Sequence, residues 1–429
     1  MSAEVKLSTR NALGVLRNAP FRRYVIGSLI SDTGSWMQVM AQGWVMATLT
    51  NKAIWLGMAN LAAGLPMLLL TMVGGAAADR FDKRKILLIT QFVQIGIACG
   101  IGFLVLKGKI EIWEILAFAA VLGISNSFEM PTQSALVPEL VGREEIQSGI
   151  SIDRSVFHGS RVIGPTVGGY LINWLGLASA FFANALSFVA LIAAILSLPP
   201  RTKGTAEEEE KRSSGIKDGF RFVAKDKPSL AMVTLIATQS LCIFPIITIM
   251  MPLYVRTVLG LGAGEFGKLM GASAVGSLVG SIFLIGLPRA KRVPLMMINT
   301  VAITMVIIGL SFAPSFYVAM ALLIVNSLGL ATNFGLCSTI VQERAPDHLR
   351  GRVSAVFMLS FVGIMPFAGL GITSLSDAIG MPSALVIAAI AYGAITLFVL
   401  ARVRKQCIVP GISETKIGTP AAPSAAATV

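Results

Sequence analysis

The chain has 429 residues, 55% hydrophobic and only 13% charged, with a formal charge of +13. A soluble domain carries roughly 25% charged residues to cover its surface, so this composition excludes most water-soluble folds and points to lipid outside. Apolar runs of about 20 residues suit membrane helices, whereas barrel strands would be about half as long and alternating.

In chain order, apolar runs bounded by charges or by Gly and Pro predict spans at 24–48, 54–77, 86–106, 112–134, 150–172 and 178–198. A polar connector, 199–228, follows. Further spans are predicted at 229–255, 265–287, 294–313, 315–341, 353–375 and 382–402. The expected fold is an all-α integral membrane protein of twelve spans in two six-helix bundles, 1–198 and 229–405. The tail, 406–429, is rich in Ala, Pro, Thr and Ser and reads as disordered. The first run follows Arg17, Arg22 and Arg23, is too long for a signal-peptide core and carries Asp32, so it reads as a span.

In the connector, Glu207 to Glu210 followed by Lys211 and Arg212 reads as a solvated linker. Ile216, Phe220 and Val223 share one helical face between Lys217, Arg221 and Lys225. That pattern fits a short helix on the inner membrane surface or a plain charged linker.

Most Lys and Arg residues fall on the N-terminal segment, on every second loop and on the tail. The opposite set of loops holds few, chiefly Lys52, Lys107, Lys109 and Arg256. This bias predicts both termini in the cytoplasm of a multi-pass protein of the bacterial inner membrane, and argues against nucleic-acid binding. Cys99, Cys242 and Cys337 lie inside spans and Cys407 follows the last, a pattern for neither disulfide nor metal. With two histidines, no Gly-x-x-x-x-Gly-Lys run and no Ser-His-Asp set, neither an enzyme nor a cofactor is expected, and no ATP-driven pumping.

An internal repeat supports the division into halves. Ser134-Ala-Leu-Val137-Pro-Glu139 returns as Ser338-Thr-Ile-Val341-Gln-Glu343, displaced by 204 residues, and Pro165 and Gly168 match Pro366 and Gly369 at an offset of 201. Because six is even, duplicated halves keep one membrane orientation and face each other across a pseudo-two-fold axis along the membrane normal, with a site near the midplane.

After the second span the chain reads Gly75-Ala-Ala-Ala-Asp79-Arg80-Phe81-Asp82-Lys83-Arg84-Lys85. This resembles the cytoplasmic signature of the major facilitator superfamily, departing from it at Asp82, where that superfamily usually has Gly. Gly75 permits close helix approach, Asp79 can neutralise an Arg or a helix N-terminus, and Lys83, Arg84 and Lys85 hold the loop inside. In the fifth span Gly159-Ser-Arg161-Val-Ile-Gly164-Pro165-Thr-Val-Gly168-Gly169 resembles the antiporter motif, whose glycines and proline permit bending and close packing. That resemblance implies a contact between the halves and export. Gly34-Ser-Trp36-Met-Gln38 with Trp44, Phe128-Glu-Met-Pro131-Thr-Gln133 and Pro346-Asp-His-Leu-Arg350-Gly351-Arg352 are similar to the enterobactin-exporter and macrolide-efflux group, the transmembrane secretion effectors.

Charges inside spans are functional candidates because burying them costs roughly 3 kcal/mol each. Asp32 lies in the first span. Arg154, His158 and Arg161 share one face of the fifth, beside Asp153. Two readings stay open: protonation of Asp32 releases Arg161 and couples proton entry to substrate exit, or the pair is a static tie. His158 is either a proton carrier or a packing residue. Glu129 is expected to latch onto Arg80 or Arg84, and Glu343 onto Arg289 or Arg292, unless these charges are merely hydrated. The resemblance implies a cavity lined by spans 1, 4, 7 and 10, which offer Trp36, Gln38, Gln42, Asn126, Gln239, Asn326 and Asn333. Such a lining suits a bulky amphipathic molecule, though each amide could instead bond helix to helix.

The expected function is secondary, proton-coupled efflux of an amphipathic organic compound, siderophore- or drug-like, by alternating access. The partners expected are that small molecule, protons and membrane lipid, with the chain a monomer. Uptake by the same fold, or a sensor or assembly role, are the competing readings.

Overall fold

The computed structural model describes residues 13–198, 216–284, 287–403 and 406. The acidic run of the connector and the tail expected to be disordered thus lie outside the described residues, Gln406 apart. The described chain is all-helical. Six long helices come first: α1 (Ala19–Leu49), α2 (Ile54–Arg80), α3 (Lys83–Leu106), α4 (Ile112–Leu140), α5 (Ile146–Leu175) and α6 (Ala178–Leu196). A short helix, α7 (Ile216–Lys225), leads into α8 (Lys227–Cys242), a π turn and α9 (Met251–Thr257), which together form one tract. There follow α10 (Ala263–Ile282), α11 (Arg289–Ser311) and α12 (Phe316–Arg344). A helix interrupted near Gly363, α13 (Arg350–Val362) then α14 (Met365–Ile379), and α15 (Met381–Val403) complete the fold.

Local signals set the boundaries. Asn18, Asp82 and Asp226 cap α1, α3 and α8 by accepting from the backbone N–H of Phe21, Arg84 and Ser229, which satisfies donors the helix start leaves free. Asp82 does this with φ at −64°, so the turn where the superfamily usually has Gly needs no left-handed backbone here. Gly176 and Gly380, again 204 residues apart, end α5 and α14 with φ of +83° and +85°, a conformation that costs glycine nothing.

Among the described residues nine helical tracts are long and apolar enough to cross a membrane, against the twelve spans expected. The long helices outside that set are α1, α5 and α10, which carry Asp32, Arg154, Arg161, Glu265 and Lys268 together with many Gly and Ser. They also pack against one another, α5 touching both others. Those charged and small residues are what lower their hydropathy.

Pairings in the first six helices recur later. Helix α2 packs on α4, α3 on α6 and α1 on α6; likewise α10 packs on α12, α11 on α15 and α8 on α15. In both α2–α4 and α10–α12 the backbones touch at glycines. A Cβ on Gly74 would overlap the Ser127 carbonyl, and one on Gly276 the Ile324 carbonyl. Without a strong hydrophobic drive in lipid, such close approach is a main source of helix affinity.

We call the end with Arg80–Lys85, Arg289–Arg292 and Arg350–Arg352 the basic end and the opposite one the far end. Contact between the first six helices and the later ones gathers toward the far end. There Gly169 of α5 meets Gly267 of α10, with a Cβ on Gly169 only 3.1 Å from the Gly267 Cα, and Gly64 of α2 meets Pro366 of α14. Trp44 of α1 stacks on Phe266 of α10 at 5.9 Å. Polar ties reinforce this. Asp377 of α14 accepts from the backbone N–H of Ala53 at 2.7 Å and Ile54 at 2.9 Å, capping α2 from across the contact. Arg256 donates to the Ala47 carbonyl at the end of α1 and to Asn51. A carboxylate at a helix N-terminus and a guanidinium at a C-terminus both complement the helix dipole. Toward the basic end, by contrast, α2 leaves Leu69, Met72 and Val73 exposed, and α13 leaves Met358, Leu359 and Val362 exposed.

Candidate functional site

Between the two sets of helices lies a cation flanked by aromatics. The Arg161 guanidinium of α5 lies 5.2 Å from the Trp36 ring of α1 and 5.9 Å from the Phe244 ring beyond α8. Phe157 contacts Trp36 edge-on at 5.7 Å on one side. On the other, Phe244, Phe361, Phe334 and Phe357 form a chain of edge-to-face contacts between 4.9 and 5.3 Å. Such a girdle offers apolar surface, quadrupoles and one fixed positive charge. Arg161 belongs to the expected set, as do Arg154 and His158, which lie exposed on the same face of α5. Sequence alone does not single out the four phenylalanines: in an apolar span a Phe resembles any other lipophilic residue, and only the packing reveals the cluster.

Asp32 does not pair with Arg161. It accepts from Ser28 on its own helix at 3.1 Å, and no ion pair to it forms among the described residues. The expected pairing fails because Arg161 is turned to the aromatic rings. Glu129 is buried and does not latch onto Arg80 or Arg84. It accepts from Gln91 at 2.8 Å, Gln133 at 2.9 Å and Gln94, all neutral donors. The residue that meets the basic loop is Glu139, further along α4, bonded to Lys83 at 2.7 Å. Its repeat-mate Glu343 meets Arg289 at 3.1 Å and Arg292 at 3.0 Å, as expected.

Asp79 and Arg80 are exposed, with no ion pair among the described residues, and Arg84 is half-buried. A Cβ on Gly75 would meet nothing within 4 Å, and the close approach falls at Gly74 instead. Gly159 is equally open. Gly164 lies against Thr33 and Trp36, Gly168 against Met37 and Gly169 against α10, while Pro165 is buried beside them. The helix-5 motif therefore packs α1 on one face and α10 on the other.

Of the cavity candidates, Trp36, Gln42 and Asn126 are half-exposed. Gln38 is buried, accepting from Asn184 of α6 at 2.7 Å, and Gln239 donates to the Leu330 carbonyl at 3.3 Å. Asn333 accepts from Asn299 and donates to Tyr392, both at 3.3 Å. Asn326 is fully buried, with no hydrogen-bond partner to its amide among the described residues. Gln38, Gln239 and Asn333 thus tie helix to helix. Among the described residues no group of His, Cys, Asp and Glu is arranged to hold a metal.

The family model for the transmembrane secretion effectors matches residues 10–419. The chain belongs to this family, within the major facilitator superfamily. It is a multi-pass membrane transporter, not an enzyme. It is similar to the staphyloferrin A transporter of Staphylococcus aureus, at 24% identity over 82% of this chain and 89% of that one. It is also similar to the multidrug efflux pump Tap of Mycolicibacterium fortuitum, at 24% over 85% and 91%, and to the enterobactin exporter EntS of Shigella boydii, at 25% over 92% and 95%. Among solved structures, the nucleoside transporter NupG superposes with a TM-score of 0.69 at 12% identity, covering 89% of this chain and 98% of that one. A bacterial homologue of the human lysosomal transporter Spinster, inward-facing and occupied, gives 0.69 at 12%, covering 91% and 98%. These likenesses concern the fold.

Proposed function

We propose that this transporter exports an amphipathic, aromatic or anionic organic compound in exchange for protons, by rocking two six-helix halves about the far-end contact. The observation that carries this reading is Arg161, held between Trp36 from the first half and Phe244 from the second. A substrate seated there touches both halves at once, so it can bias their relative orientation. The charge bias and the repeated pairings support a reading of twelve spans, with residues 1–198 and 229–405 as the halves and both termini in the cytoplasm. On that orientation the basic end, away from the contact between the halves, faces the cytoplasm.

Asp32 and Glu129 support proton coupling. Each is a carboxyl in a membrane helix whose bonded partners are neutral, so it can take and release a proton without breaking an ion pair. Closure of the cytoplasmic end would bring exposed Asp79 toward the N-terminus of α13, whose dipole favours a carboxylate. The efflux relatives and the α5 motif favour export over uptake.

The test is transport by the full chain in proteoliposomes with an imposed pH gradient, using aromatic carboxylates and aromatic ammonium compounds as substrates. Gradient-dependent movement of the carboxylates, weakened by Arg161→Gln and kept in part by Arg161→Lys, is the expected result. Movement that ignores the gradient, or that Arg161→Gln leaves unchanged for every substrate, sinks the reading.

A further inference from the structure

Helix α7 is not needed to span the membrane, yet it is fixed in place. It packs on α8 and α13, with Val223 buried. A Cβ on Gly219 would lie 2.8 Å from the Arg352 carbonyl, so the backbones of α7 and α13 are nearly touching. Beside this contact runs an open groove. From α7 it takes Asp218, Arg221 and Lys225, from the turn before α13 it takes His348 and from the first turn of α13 Arg352, with Phe222 and Leu349 as an apolar floor.

The charges there do not balance. Asp218 is engaged by Arg352 at 3.0 Å. Arg221 and Lys225 are exposed, and no ion pair satisfies either among the described residues. The groove also sits at a defined depth, because the membrane tracts Lys227–Thr257 and Asp347–Ile379 both begin at it. It therefore lies where spanning helices enter the headgroup layer. Phe220 of α7 is 46% exposed, an apolar group suited to the boundary between headgroups and acyl chains.

We propose that this groove binds the phosphate headgroup of an anionic phospholipid in the leaflet at the basic end. Arg221 and Lys225 supply charged donors to the phosphate oxygens, Arg221 in a planar fork that matches phosphate geometry. His348 adds an imidazole at the rim. The apolar floor and exposed Phe220 favour a lipid over a soluble phosphate, which would do better in a closed polar cradle. Because the headgroup would bridge α7 and α13, its binding favours the arrangement in which these two helices are together.

The experiment measures lipid retention by the purified full chain with native mass spectrometry, offering phosphatidylglycerol and phosphatidylcholine in equal amounts. Wild-type protein should retain phosphatidylglycerol over phosphatidylcholine by about thirtyfold, as expected of two cations at an anionic surface. Arg221→Gln with Lys225→Gln should abolish that preference. Arg221→Lys should keep most of it, and Lys107→Gln with Lys109→Gln, at the far end, should leave it intact. The paired variant keeps Gly219 and Val223, through which α7 is packed, and an unchanged melting curve checks this. Equal preference in wild type and the paired variant overturns the proposal, as does phosphatidylcholine held as strongly. Displacement of the lipid by inorganic phosphate assigns the groove to a soluble anion and overturns it too.

Discussion

The buried polar centres of the two halves stand at matching positions and differ by one carboxylate. Glu129 accepts from Gln91, Gln94 and Gln133. At 204 residues further on, Asn333 accepts from Asn299 and donates to Tyr392. The basic rim shows no such divergence, since Glu139 meets Lys83 and Glu343 meets Arg289 and Arg292. Duplication has thus kept ion pairs that anchor neighbouring helix ends in both halves. Among the described residues it has left a carboxyl in the buried polar centre of the first half only, joined in that half by Asp32. A neutral amide can hold helices together as a carboxyl can, but it cannot carry a proton.

The largest test of this asymmetry is coupling. Asp32→Asn and Glu129→Gln should each lower proton-driven efflux in proteoliposomes by about tenfold or more, the scale of ordinary coupling free energies. Asn333→Ala should keep the proton dependence while costing about 1–3 kcal/mol of stability for the partners it strands. Loss of proton dependence in Asn333→Ala, with wild-type coupling in Glu129→Gln, would reverse the assignment of the two halves.

The contact between the halves offers a second test. Gly267→Leu places a Cβ 2.5 Å from the Pro165 carbonyl and should cost about 1–3 kcal/mol of far-end closure by overpacking. Labelling of an Asn60→Cys protein from the far side should then rise. Gly159→Ala, with nothing within 4 Å, should label as wild type does.

The helix starts give a third. Asn18 donates to the Leu140 carbonyl at 2.8 Å, whereas Asp226 holds the Arg344 guanidinium by two bonds of 2.7 and 2.6 Å. Partial burial pushes the Asp226 carboxyl up. The bonds from Arg344 and Ser229 and the Arg344 charge outweigh burial, and the net direction is below the ordinary carboxylate value. The folded pKa being lower than the unfolded one, this tie contributes fully above the unfolded value and is lost as pH falls through the folded one. Melting of the wild type between pH 6 and 3 should show that loss, about 1 kcal/mol after allowance for solvent screening. Asp226→Asn should lack it. The smallest effect belongs to the rim: Arg292→Gln leaves Arg289 on Glu343 and should cost about 0.5 kcal/mol or less in melting experiments.

Much of the fold was legible because lipid imposes long apolar runs and charge bias marks their ends. The repeat at Glu139 and Glu343 pointed to matching helix pairings. Sequence placed α1, α5 and α10 as spans although their apolarity is low, since flanking charges bounded them. Which charges meet was not legible. Glu129 and Glu139 differ by ten positions on one helix, and only its rotation and the neighbouring Gln91 and Gln94 decide which one faces the basic loop. Arg161 looked like a partner for Asp32 because opposite charges on neighbouring helices invite pairing; the aromatic girdle that takes it instead is assembled from five separate segments. Gln38 and Asn333 read equally well as cavity or packing amides until Asn184 and Asn299 were seen beside them.

The meeting of Gly169 with Gly267 has a mechanical consequence. Most helix interfaces interlock, ridge into groove, so one helix must jump past another in steps set by side-chain size. Here Thr166 of α5 fits against Gly271 of α10 and Asn173 against Gly264, so the joint is toothed on both sides of the bare contact and the two helices are held in one register along their length.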